Sequence, residues 1–463
     1  MASRGESFRA DPASPAQGKR LASQILLRAM ASIDVQRTML ARVKYESGSL
    51  VCSDATGAQP VQVSLGRPPR VIAVGKAASR MAVALHQILG GKIHAGLVVA
   101  PTGPAIRLEG FRYLLGGHPY PNSGSLEGAE AAIELVSGLD EQDLAVFLIS
   151  GGGSAIFEKP LDPEVTLADL VEFNRALVTC GLPIEQINVL RKHVSAVKGG
   201  RLALRAFPAR QLTIHVSDVP EHLDSMVASG PTMADPSTAE ECYEIARNNS
   251  LVDKFPASIR RHFEEPSLEE TPKPDDPRFN RSHYFRLLSN RDAVEAARAA
   301  AERIGFQAEI DRGSWDEDFR QVAAANSAAL DDLAGRNPGR PVCLVVGGEV
   351  TCPVTGRGTG GRNQAFVLHA ATLVAGRNRV VLSAGTDGRD GNSPATGAVA
   401  DGQTLSRAQA HGLDPVLYLA DSDSYHFFRT LGDTLEVGYT DNNVRDLRIW
   451  LDLEAGAGML SHS

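Results

Sequence analysis

A chain of 463 residues, 43% of them hydrophobic, can bury a sizeable core, and its length points to two or three domains. A formal net charge of −8 without clustered Lys and Arg excludes a general nucleic-acid binder, and no run approaches the roughly 18 apolar residues of a membrane span. Five cysteines (Cys52, Cys180, Cys242, Cys343, Cys352), odd in number and lacking C-x-x-C spacing, suggest neither a disulfide framework nor a zinc site and fit a reducing cytoplasm.

Residues 1–18 lack an apolar h-region and read as a flexible tail without a signal peptide. From Lys19 to about Ser47, apolar residues at helical spacing predict an amphipathic helix or helix pair. Val71–Val74 then reads as a buried parallel strand, Gly75 as its turn and Lys76–Leu89 as a helix. Ligands of open α/β sheets bind outside the carboxyl ends of the strands, so Lys76 is placed either for an anion or as the solvated cap of a turn. A strand over Ala95–Ala100 precedes an irregular segment holding His118, which can touch a ligand or serve structure alone. Helical spacing resumes over Leu126–Leu139, and the strand Leu144–Ile149 runs into Ser150, Gly151, Gly152, Gly153 and Ser154. Glycines that end a strand and open a helix let backbone N–H groups face a carboxylate or phosphate.

Further on, Arg191, Lys198 and Arg201 fall at helical spacing and form a candidate wall of an anion site, with a charged solvent face as the alternative. Asp218 follows the strand Leu212–Val216, placed to accept a hydroxyl proton, to hold Mg²⁺ or to cap a turn. The acidic, proline-rich stretch Glu264–Asn280 marks a soft domain boundary. A strand over Tyr284–Leu288, a helix over Asp292–Ile304 and a strand over Val342–Val346 come next, the last paired with Val350–Val354 as a hairpin. Gly356–Gly361 is a costly glycine loop in front of a helix opened by Arg362 and Asn363. A cation at a helix N-terminus opposes the dipole unless an anion is shared with the first N–H groups. Asp387 and Asp390 lie beyond the strand Val380–Ser383.

Nine blocks, taken together and in order from about residue 20 to 452, resemble the glycerate 2-kinase family. They are Gly75-Lys76-Ala77-Ala78, Gly117-His118-Pro119 with Pro121, Ser150–Ala155, Arg191-Lys192-His193 with Lys198–Arg201, Ser217-Asp218-Val219, Ser229–Thr232, Gly347-Gly348-Glu349, Gly360–Gln364 and Thr386-Asp387-Gly388. Members of this family were formerly called hydroxypyruvate reductases. The resemblance implies an α/β protein with a large Rossmann-like parallel-sheet N-terminal domain (19–263), a linker (264–283) and a smaller α/β C-terminal region (284–455) that includes a MOFRL-type domain. It implies a cytoplasmic enzyme that phosphorylates the 2-hydroxyl of D-glycerate with ATP and Mg²⁺ in the interdomain cleft, with a homodimer left open. Carried over, Lys76 and Arg362 would serve anionic groups and Asp218 and Asp387 the chemistry. Ser150–Ser154, Arg191, Lys198, His118 and Asn363 would hold substrate or phosphate, with Asp218, Asp387 and Glu349 near a metal.

The chain departs from the family pattern at Asn122, at Glu221-His222-Leu223, at Pro394 and over Val437–Asn443. These changes keep open a kinase of a different or larger hydroxy acid, or a silent paralogue that only binds ligand. Dehydrogenase chemistry is the weaker reading, because the first strand-to-helix turn lacks G-x-G-x-x-G.

Overall fold

In a computed structural model of the protein, residues 15–54, 60–311, 313 and 316–454 are described, apart from the side chains of residues 15, 16 and 221. The chain divides into two compact units, Val35–Ser289 and a second made of residues up to Asp34 together with those from Asn290 on.

The first unit begins with a short antiparallel sheet, β1 (Val43–Glu46), β2 (Ser49–Cys52) and β3 (Val61–Ser64). Its main sheet follows from the apolar runs. β4 (Arg70–Val74), β5 (Ala95–Ala100), β6 (Phe111–Leu115), β7 (Leu144–Ile149), β8 (Arg210–Val216) and β9 (Ser282–Leu288) are all parallel, in the order β6-β5-β4-β7-β8-β9. β4 and β7 are buried almost throughout, as strands covered by helices on both faces must be. On one face Ile72, Val74, Phe147 and Ile149 pack with Ala129, Ala132 and Val136 of the helix Ser123–Val136. A satellite cluster centred on Phe173, Phe255 and Phe263 holds the helices 167–179, 184–194, 239–248 and 257–264 together. Phe173 and Phe255 meet edge-on with centroids 4.9 Å apart, a geometry that adds about 0.5–1.5 kcal/mol beyond area burial.

The proline-rich stretch after Glu264 does not separate domains. Thr271 donates to the Asp235 carboxylate at 3.0 Å, Asp235 N–H donates to Pro272 O at 2.9 Å, and β9 then completes the sheet beside β8. The division therefore falls at Ser289/Asn290, later than the sequence pattern suggests, because the sheet needs its sixth strand.

The second unit is built on a mixed sheet of β10 (Gln307–Asp311), β11 (Val342–Val346), β12 (Arg379–Gly385), β13 (Gly397–Asp401), β14 (Thr434–Leu435) and β15 (Asp446–Asp452), in the order β10-β11-β15-β12-β13-β14. β11 is flanked by β10 and β15, so the expected hairpin with Val350–Val354 does not form. Both edges of β11 are taken, and Thr351 instead bridges Asp318. The opening helix, Pro15–Ser32, belongs to this unit. Its Ala22, Ile25, Leu26 and Ala29 pack with Val380, Leu382 and Leu451. The expected tail lies outside the described residues up to residue 14. Residues 15–18 are helical, and a Cβ on Gly18 would stand 2.6 Å from Val380 Cγ2. Among the described residues no helix is long and apolar enough to cross a membrane.

Candidate active site

In the parallel sheet the chain moves outward in one direction from β4 and in the other from β7, so these adjacent strands form the topological switch point where open α/β sheets bind ligands. Both strands end close together. A Cβ on Gly75 would lie 2.3 Å from Ser150 O, and its φ of 109° is open to glycine at little cost, so this turn accepts no other residue. Lys76 N–H donates to Gly151 O at 2.9 Å, fixing the start of the Lys76 side chain against the glycine loop. A Cβ on Gly152 would stand 3.4 Å from Lys76 Cγ and 3.3 Å from His118 Cδ2. The fold thus gathers Lys76, His118 and Gly152, which come from three different strand ends. Asp218, half-buried, follows β8 along the same carboxyl edge.

The loop after β7 opens only one helical turn, Gly153–Ile156, and Phe157 is extended. A dipole-based cradle is correspondingly small, since the macrodipole needs aligned peptides over several turns. Ser150 is committed to the backbone, accepting from Ala77 N–H at 3.0 Å and donating to Val74 O at 3.1 Å, so it is a structural clamp rather than a ligand group. Ser154 Oγ instead stands 2.8 Å from Ser229 Oγ, which donates to Asn188 Oδ1 at 2.8 Å. Ala228 and Ser229 hold φ of 53° and 59°, strained values for residues with a side chain, in the segment that packs on Gly153. Asn188 and Ser229 are supporting residues that periodicity alone does not disclose.

The basic cluster is not one helical face. The helix carrying Arg191 ends at Val194, and Arg201 begins a separate helix. Lys198 is fully buried and ion-paired with Glu158, whose other oxygen accepts from Ser195 Oγ at 2.6 Å. Burial pushes the Lys198 ammonium pKa down against the pull of Glu158, and it lowers that of Arg191, also buried. Lys198 therefore holds the fold beneath the loop and does not present its charge to a ligand, contrary to expectation.

In the second unit the helix Arg362–Val374 has its anion supplied internally. Asp390, buried, accepts from Asn363 N–H at 3.0 Å and Gln364 N–H at 2.8 Å, and also from both side-chain amides. Asn363 further accepts from Ser383 Oγ at 2.5 Å, so its side chain braces the helix against β12 and Asp390. Arg362 grips Asp446 through Nε and Nη2, at 2.6 and 2.9 Å, and Glu349 at 2.6 Å. Burial opposes its charge, yet the two carboxylates outweigh that and hold its pKa well above the ordinary guanidinium value. Asp446, the first residue of β15, is the partner that sequence reading missed. A charged residue heading the strand-like stretch Leu447–Leu451, apolar except for Arg448, is the signal for it. Asp387, half-buried, accepts from Arg389 N–H at 3.1 Å, and its carbonyl accepts from Thr440 N–H at 3.3 Å, so the divergent turn 437–440 packs directly on it.

Residues 21–264 match the family described as a domain of unknown function, DUF4147, and residues 342–446 match the MOFRL family. The chain is 38% identical over 386 residues to the D-glycerate 2-kinase of Thermotoga maritima, covering 82% of this chain and 90% of that protein. It belongs to the glycerate 2-kinase family. The glycerate 2-kinase of Pyrococcus horikoshii is 32% identical over 437 residues (93% and 96% covered), and a putative hydroxypyruvate reductase of Agrobacterium vitis is 35% identical over 386 residues (82% and 86% covered). The crystal structure of the Thermotoga maritima glycerate kinase superposes with a TM-score of 0.79 at 33% identity, over 95% of this chain and all of that one.

Within the glycerate 2-kinase family pattern, the departure at Asn122 has a local explanation. Asn122 is the N-cap of the helix Ser123–Val136, its Oδ1 accepting from Ser125 N–H at 3.0 Å, and Ser125 Oγ accepts from Asn122 N–H in return. Aspartate and asparagine are near-equal N-caps. Asn122→Asp is therefore expected to leave the thermal midpoint almost unchanged and Asn122→Ala to cost about 1 kcal/mol, read by denaturant unfolding. Pro394 is exposed, and the side chain of Glu221 lies outside the described residues.

Proposed function

We propose that this chain is an ATP-dependent kinase that phosphorylates the 2-hydroxyl of D-glycerate. The observation that carries this reading, beyond kinship, is the meeting of Lys76, the glycine loop and His118 at the switch point of the parallel sheet. Phosphoryl transfer asks for positioning, for cations against spreading negative charge, and for a carboxylate on the attacking hydroxyl. Lys76 supplies the cation at the first unit's strand ends, and Ser154 and the neighbouring backbone hold the acceptor carboxylate or a phosphate. Asp218 orients the 2-hydroxyl and takes its proton as the oxygen bonds to the γ-phosphorus and the bond to the β-phosphate oxygen breaks, releasing ADP. Within the second unit, Arg362, held in shape by Asp446 and Glu349, is the candidate for anionic groups, and Asp387 is the candidate carboxylate.

Mg²⁺ enters with the nucleotide as Mg·ATP. Among the described residues no group of three or more carboxylate, imidazole or thiol side chains is gathered for a metal, and Glu349 is engaged by Arg362. That suits an ion that typically keeps its waters and takes one or two carboxylates plus substrate phosphates. The cysteines Cys52, Cys180, Cys242, Cys343 and Cys352 are all free, which fits a cytoplasmic setting.

A coupled ADP-release assay with D-glycerate and Mg·ATP is expected to show turnover that Asp218→Asn lowers by about 10²–10⁴-fold, the usual worth of a positioned general base. Oxidation of NADH by hydroxypyruvate, with no ADP released from Mg·ATP in the presence of glycerate, would overturn the reading.

A further inference from the structure

The helix Arg362–Val374 borders a cavity of about 460 Å³ that lies wholly within the second unit. Its walls are apolar and aromatic, formed by Phe319, Val350, Cys352, Ala365, Tyr418 and Leu419. Arg320, Asn392, Ser422 and Ser424 also line it, together with the glycine loop and Arg362. The loop is pinned. Gly358 N–H donates to Asp421 O at 2.8 Å, Thr359 N–H to Asp423 Oδ1 at 2.8 Å and Gly360 N–H to Asn392 Oδ1 at 2.8 Å. Side chains are excluded there by contact: a Cβ on Gly358 would lie 2.4 Å from Asp423 Cβ, and one on Gly361 2.3 Å from Asp390 Oδ1. The loop thus reads as a rigid backbone wall rather than a flexible strap. Val354 lines the cavity too, 83% exposed.

We infer that this cavity is the subsite for the purine nucleoside end of ATP, with the phosphates leading out toward Arg362. The inference rests on the kinase reading above, which requires a surface for the base. A purine offers flat apolar faces and a thin polar edge. It matches a slot of this size whose walls are aromatic and aliphatic and whose rim presents peptide groups. The acceptor does not match it, since a three-carbon hydroxy acid is almost wholly polar and would leave those walls wet. Arg362, held by Asp446 and Glu349, places a guanidinium beside the cavity that complements a polyphosphate.

Cys352 provides a probe in the wild-type chain, because it lines the cavity and burial raises its thiol pKa to about 11, so that labelling runs at alkaline pH, while half-buried Cys180 belongs to the other unit and serves as internal reference. Alkylation followed by mass spectrometry is expected to show Cys352 protected at least several-fold by ADP and by adenosine, but not by inorganic triphosphate or D-glycerate, with Cys180 unaffected. Tyr418→Ala is expected to weaken ADP binding by roughly 5–100-fold in calorimetry, the loss of one aromatic surface under a base, while KM for glycerate stays put. Should Tyr418→Ala fail to fold, protection of Cys352 in the wild type decides alone. If ADP binds the wild type yet protects no thiol at Cys352, the subsite is wrong and the kinase reading stands. If neither ADP nor Mg·ATP binds the wild type, the kinase reading falls and takes this one with it.

Discussion

Lys76→Ala is expected to lower kcat/KM for ADP release with D-glycerate by about 10²–10³-fold, the worth of one preorganised charge aimed at a transition state. The expectation follows from geometry. The backbone at Lys76 is anchored by its N–H to Gly151 O, an interaction that alanine keeps, so the substitution removes the ammonium and leaves the turn intact. The side chain starts beside Gly152 and His118, and Gly75 packs against Ser150 where no side chain fits. Circular dichroism and the thermal midpoint of Lys76→Ala should therefore match the wild type. Lys76→Arg should recover only part of the rate, since a forked guanidinium does not reproduce a compact ammonium. Full activity in Lys76→Ala would remove the site assignment, whatever the family relationship says.

The first unit was the more legible of the two, for a physical reason. Buried parallel strands are short apolar runs, and their ends are marked by glycine or by polar residues where ligands bind, so β4, β7, β8 and the positions of Lys76 and Asp218 can be read from local pattern alone. What local pattern does not carry is pairing. Lys198 looks like a ligand-facing cation until Glu158, 40 residues away, is seen beside it. Arg362 looks like half of an anion site until Asp390 is found occupying the helix N–H groups and Asp446 the guanidinium. In each case the expected anion exists but belongs to the protein. The opening helix shows the same limit on a larger scale. Its amphipathic face is plain in the sequence, whereas its partners Val380, Leu382 and Leu451 lie in the last quarter of the chain and nothing local names them. The central place of β15 between β11 and β12 likewise depends on a chain return that no spacing announces.

The largest loss of stability is expected from Glu158→Ala. The variant leaves the Lys198 ammonium fully buried with Phe157 O, at 3.5 Å, as its remaining partner in place of a carboxylate. Removing one member of a buried ion pair typically costs 3–5 kcal/mol, about 6–20 °C in midpoint for a unit of this size, which differential scanning calorimetry resolves. Replacing both members with apolar residues of similar volume, Glu158→Leu with Lys198→Met, should return part of that loss, because the buried ammonium goes with its partner while buried Arg191, which Glu158 also attracts, keeps its charge. The sign of the pH dependence separates this account from simple cavity formation. Burial already lowers the Lys198 pKa, and loss of Glu158 lowers it further, so the unfolded chain binds the proton more tightly than the folded one. Stability of Glu158→Ala must then rise with pH through the lowered folded value toward the ordinary lysine range, and the deficit against wild type should shrink as pH rises toward about 10. A deficit that stays constant over that interval would mean that the cost is packing rather than charge, and would return Lys198 to the groups free to meet a ligand.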